Sequence, residues 1–127
     1  MAFIYDDFAK WLDGVFEKEI PDDVVALSFN IYEEWSDKMD WSVVVVGTPS
    51  FDKDDQDWAC DETTDFGTRD NLFWWKEDTG YENVEREVEE AILRYLEVGR
   101  HADKLKALRG VGTGFVDDAL HLVYVKE

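Results

Sequence analysis

Val24-Val25-Ala26-Leu27-Ser28-Phe29-Asn30-Ile31-Tyr32 is the stretch whose reading decides the fold. Val25, Leu27, Phe29 and Ile31 alternate with Ala26, Ser28, Asn30 and Tyr32, the period of a strand with one buried face. After the polar stretch from Glu33 to Asp40 comes Trp41-Ser42-Val43-Val44-Val45-Val46. That β-branched run does not alternate, so it predicts a strand buried on both sides. Gly47, Thr48 and Pro49 close it.

Upstream the period is helical. Ile4, Phe8, Trp11, Leu12, Val15 and Phe16 form one apolar face, and Pro21 is expected to end the helix. Downstream, a third strand is expected over Gln56 to Cys60. Leu72-Phe73-Trp74-Trp75 reads either as a short strand or as the lead-in to a helix. That helix is the clearest element: Thr79 and Glu82 have the spacing of a capping box. Val84, Val88, Ala91, Ile92, Tyr95 and Leu96 repeat the helical template, and Gly99 is the expected C-terminal cap. A short basic helical piece follows, with Arg100, Lys104, Lys106 and Arg109 around Ala102, Leu105 and Leu108. Val111 to Val116 and Leu120 to Val125 then flank Asp117-Asp118-Ala119 as a hairpin. The expectation is one α+β domain over 1–127, with an antiparallel sheet of about four to five strands and helices on one face. Its order is helix, two or three strands, helix, the short helical piece, two strands.

The chain has 127 residues, 45 % of them hydrophobic and 15 % aromatic, which favours a folded core over disorder. Charge is its most unusual property: 31 acidic against 13 basic residues give −18 at pH 7. Nucleic acid and anionic membrane surfaces are disfavoured as partners, because both are bound through Lys and Arg. A basic protein would be drawn in. Cys60 alone cannot make an intramolecular disulfide, and Met1 to Lys10 does not read as a signal peptide. No apolar stretch approaches the ~20 residues of a membrane span. The cytosol is the expected compartment.

Chemistry finds little purchase. His101 reads as a surface histidine and His121 as a strand histidine, and no zinc, nucleophile-elbow or phosphate-loop spacing is present. Gly110-Val111-Gly112-Thr113-Gly114 precedes a strand rather than opening a helix, so a bulge or close packing explains its glycines better than a phosphate does. Asp52, Asp54 and Gln56 fit a calcium loop, but Asp57 and Thr63 stand where its glycine and bidentate acid belong. Cys60, beside Asp61 and Glu62, reads as a small buried hydrophobe. No cofactor, metal or catalytic residue is expected.

What remains is an acidic and aromatic surface. Asp52, Asp54, Asp55, Asp57, Asp61, Glu62 and Asp65 are set against Lys53 and Arg69, with Trp58 among them. These acids, with Trp58 and Trp74 as aromatic anchors, are the candidate partner-binding residues. Trp74 and Trp75, being adjacent on a strand, cannot both enter one core. Trp35 and Trp41 read as sheet-edge packing.

The order of elements resembles that of small bacterial immunity proteins of the YezG-like kind, which neutralise polymorphic toxins. It runs from a helix ending in Ile20-Pro21 through strands Val24–Tyr32 and Trp41–Val46, an acidic excursion and an acidic helix to a C-terminal hairpin. The resemblance implies an inhibitor of a toxin, possibly a basic nuclease, acting by phosphate mimicry and steering. An adaptor module of a larger complex and an unrecognised enzyme are the alternatives. Self-association through a sheet edge stays open.

Overall fold

The computed structural model describes residues 3–33, 40–61, 64–115 and 119–126. Glu62, Trp35 and the Asp117–Asp118 part of the expected turn lie outside them. The chain is α+β, with helix α1 (Tyr5–Val15), strands β1 (Ala26–Glu33), β2 (Asp40–Thr48) and β3 (Phe73–Lys76), helices α2 (Tyr81–Val98) and α3 (Ala102–Lys106), and strands β4 (Gly110–Phe115) and β5 (His121–Val125). Gln56–Cys60, expected as a strand, is a 3-10 turn. The third strand is the aromatic run at 73–76.

The sheet order is β3-β2-β1-β4-β5. It is mixed, not wholly antiparallel: β4 pairs with β1 in parallel, Leu27 opposite Val111 and Phe29 opposite Thr113. The reason lies in β3-α2-β4. A helix of 18 residues runs about 27 Å, enough to carry the chain back along the sheet, so the next strand points the same way as β3. Because β3 and β1 are both antiparallel to β2, β4 matches β1.

Register then sorts the side chains. Leu27, Phe29 and Ile31 of β1 share a face with Val43, Val45, Trp75 and Val111. That face forms one core with Phe8 and Leu12 of α1 and Val84, Val88, Ile92, Tyr95 and Leu96 of α2. The helices thus lie on one face, as the alternation in β1 predicts. The other face is not left to water. Ala26, Ser28, Val44 and Val46 are all buried there, so β2 is covered on both sides, as its valine run implies.

Local signals fared unevenly. The first helix stops at Val15, well short of Pro21. Thr79 does not cap α2: Gly80 does, at φ 86, a left-handed angle suited to glycine, and the Thr79 hydroxyl donates to Glu77. Gly99 does close α2, but in extended geometry; its small size matters because a Cβ there would sit 2.5 Å from the Tyr95 carbonyl oxygen. Trp74 and Trp75 alternate as adjacent strand residues must, 54 % and 4 % exposed. Trp41 is a core residue: its ring meets Tyr81 and Phe115 and its indole N–H donates to the Glu77 carbonyl at 2.9 Å. Cys60 is exposed, not buried.

Candidate functional site

The acidic excursion is the cover of the second sheet face. Its first turns are built from its own carboxylates: Asp52 accepts the Asp54 N–H at 2.9 Å and Asp55 accepts the Asp57 N–H at 3.0 Å. Asp and Asn favour such turns because the short side chain reaches its own backbone two residues on. The second bond also caps the 3-10 turn. That turn points Trp58 inward, where its ring meets Phe51 at a centroid distance of 5.0 Å. Phe51 in turn occupies the space above Gly110, where a Cβ would come within 2.1 Å of its ring. The Gln56 side-chain carbonyl accepts the Leu120 N–H at 3.1 Å. Gly110 and Gly112 therefore give the excursion a flat floor, Gly112 lying under Leu120. The sequence reading of these glycines as close packing or a bulge holds on both counts, since the β4–β5 register shifts between Val111 and Gly112.

Asp52, Asp54, Asp55 and Asp57 consequently stand together and exposed on a loop held at Phe51, Gln56 and Trp58. The other expected residues among those described do not join them. Trp58 is 5 % exposed and belongs to the interior, so it cannot serve as a surface anchor without leaving its socket. Asp61 is half-buried after the turn. Asp65 is exposed beside Phe66, whose carbonyl accepts the Gly47 N–H, in a recess shared with Gly14, Val15 and Lys18 at the end of α1. Trp74 sits on β3, the sheet edge farthest from β5. The Asp cluster is also not uniformly negative: Asp52 and Asp54 share a groove with Lys53, Arg109, Lys126 and Leu122.

The basic piece, unexplained by sequence, has a structural task. Lys104 Nζ donates to the Phe16 carbonyl at 2.6 Å and lies 3.5 Å from that of Lys18. It thereby takes up carbonyls left free where α1 ends and sets a cation at the negative end of the helix dipole. His101, expected at the surface, is half-buried with its side chain 16 % exposed and pairs with Glu17 at 2.7 Å. Its ring hydrogen bond, with help from Arg100, holds the Glu17 carboxyl below the usual range. Tyr95 ties the same corner together. Its hydroxyl donates to Asp13 at 2.8 Å and accepts the His101 backbone N–H at 3.2 Å. Burial, then the Asp13 bond, pushes that phenol well above its ordinary pKa. Lys104→Met is expected to cost about 1–2 kcal/mol, since it strands two carbonyls and removes a charge-assisted bond; thermal melts of the two proteins check it.

His121 lies between Glu85 and Glu89 of α2, at 3.5 and 3.7 Å. Among the described residues no three His, Cys, Asp or Glu side chains converge as a metal would require. No helix there is long and apolar enough to cross a membrane.

Compared with known proteins, the chain matches no family model, no curated protein and no solved structure.

Proposed function

We propose that this protein is a binding inhibitor of the immunity type, which neutralises a basic partner, such as a toxin, through the exposed Asp52–Asp57 array. The observation that supports it is the pinning of that array. Four exposed aspartates lie on a loop whose backbone is turned by Asp52 and Asp55 themselves and whose base is fastened by Phe51 and Trp58. Pre-ordered carboxylates lose less entropy on meeting Lys and Arg than carboxylates on a free loop do. The net charge of −18 adds long-range attraction and faster encounter, both screened by salt. In this reading Leu122, exposed in the adjoining groove, supplies apolar contact, and Lys53, Arg109 and Lys126 select against partners that are merely cationic. The reading also draws on the resemblance, in element order and acidity, to YezG-like immunity proteins.

Capture from the native lysate with the tagged protein tests it. The expected result is one basic protein, toxic when expressed alone, retained at low salt and released at high salt. Capture of a non-toxic assembly would replace the inhibitor by an adaptor.

A further inference from the structure

The sheet ends in two strands, β3 and β5. The outer N–H and C=O groups of such a strand are open to pairing with another chain. β3 offers little to a charged partner: it has four residues, and its one cation, Lys76, is taken by Asp40 at 3.2 Å. β5 is different. His121–Val125 contains neither proline nor lysine, residues that commonly blunt an edge. Its register shift concerns the pairing with β4, and among the described residues no strand lies on its outer side.

Register gives this edge two walls. His121 lies opposite Thr113 and Tyr124 opposite Val111, which puts both on the helix face. There His121 sits 3.5 Å from Glu85 and 3.7 Å from Glu89 of α2. Two carboxylates outnumber one imidazole in charge. Leu122 and Val125 lie opposite Gly112 and Gly110 on the other face. Leu122 shares a recess of about 240 Å³ there with Asp52 and Asp54. The cations Arg109 and Lys126 gather at the Val125 end, where the Lys126 N–H donates to the Arg109 carbonyl at 2.9 Å. The His121–Leu122 end of the edge is therefore acidic on both faces, with Lys53 as the one cation in the recess.

We propose that the outer edge of β5 receives an extended segment of the basic partner as an added strand, its cations held by Asp52 and Asp54 on one face and by Glu85 and Glu89 on the other. The inference rests on the reading of this protein as a binder of a basic partner and says how that partner docks. Backbone pairing supplies affinity, and the carboxylates decide which segment is accepted. An added strand lies about 4.8 Å beyond β5, a distance that long lysine and arginine side chains span. A second copy of this chain is the poorer occupant, because two molecules of −18 each repel on approach.

A peptide of about eight residues, the length of an ordinary strand, alternating Lys and Val, tests the edge by amide hydrogen exchange of the whole protein at low salt. Saturating peptide is expected to slow exchange of the unprotected amides in His121–Val125 by at least about tenfold and to leave the β3 amides unchanged. The same peptide N-methylated on every backbone nitrogen keeps its charge but has no N–H to donate, so it should give no protection. Glu in place of Lys should also abolish the effect. Equal protection by the Lys peptide and either control, or none by any of them, would overturn the added strand. Protection that rises with protein concentration in the absence of peptide would assign the edge to a second copy and reject the proposal as well. An unprotected edge would leave the Asp52–Asp57 array and its captured partner standing. A protected edge with no basic protein captured from the lysate would keep the edge and reject the inhibitor.

Discussion

Trp58→Ala is expected to destabilise the protein by about 3–5 kcal/mol, the range for deleting a buried aromatic side chain, and to detach the acidic loop from the sheet. Trp58 is one of two rings that hold the loop down, and it is 5 % exposed. Its removal leaves Phe51 without a partner ring above Gly110. Trp58→Phe should behave differently. The Trp58 indole N–H is buried without an acceptor among the described residues, and such a donor costs about 1–3 kcal/mol. Replacing it with a ring that has no donor offsets much of the smaller cavity, so Trp58→Phe is expected to lie within about 1 kcal/mol of wild type. Urea unfolding of the three proteins measures both differences. Equal losses in the Ala and Phe variants would mean that the indole N–H has a partner and is doing structural work.

The second large effect concerns the helix side. Phe8→Ala is expected to cost about 3–5 kcal/mol, because Phe8 is fully buried and its ring meets Phe3, Trp11, Phe29 and Phe73. Domains of this size have about 5–15 kcal/mol of net stability, and here a charge of −18 works against compaction. The variant should therefore be partly unfolded at low ionic strength and regain structure as salt screens the repulsion, over a Debye length that falls to about 10 Å at 0.1 M. Circular dichroism across a salt series checks it. A Phe8→Ala protein that melts independently of salt would show that the charge contributes little to the balance.

Strong periods were legible in the sequence and long-range partnerships were not. The alternation of Val25 to Ile31, the unbroken Val43–Val46 run and the helical stripe from Val84 to Leu96 each report burial directly, and each element appears where its period places it. The parallel pairing of β4 with β1 was recoverable from the strand–helix–strand order around α2, but reading the last two strands as a hairpin drew attention to β4–β5 alone. Gly99 closes α2 as expected, but the Thr79 cap and the Pro21 stop failed for a physical reason. Glu77 captures the Thr79 hydroxyl, and Lys104, 88 residues from Phe16, completes the end of α1. No local rule sees a partner at that distance.

The candidate site divides in the same way. The exposure of Asp52, Asp54, Asp55 and Asp57 follows from their type, and the structure keeps them together. Trp58 among them looked like a surface anchor because a lone aromatic in an acidic run has no period to reveal which way it faces. Its inward direction is set by the 3-10 turn and by the glycine floor of β4, more than 50 residues later in the chain. Trp74 and Asp65 were grouped with the loop by sequence proximity, and the strand order separates them.

The measurement that bears most directly on the proposed function is the association rate of the captured basic partner with wild type and with a variant in which Asp54, Asp55 and Asp57 are changed to Lys. Asp54 and Asp57 use only their backbone N–H in these turns, so the accepting Asp55 carboxylate is the structural loss, and Asp55→Ala, which removes that acceptor without adding positive charge, controls for it. The account predicts association slowed by at least about tenfold in the triple variant, with most of the salt dependence gone, and a much smaller change for Asp55→Ala. A triple variant that folds, binds as fast as wild type and keeps the same salt dependence would contradict it and move the interface elsewhere on the molecule.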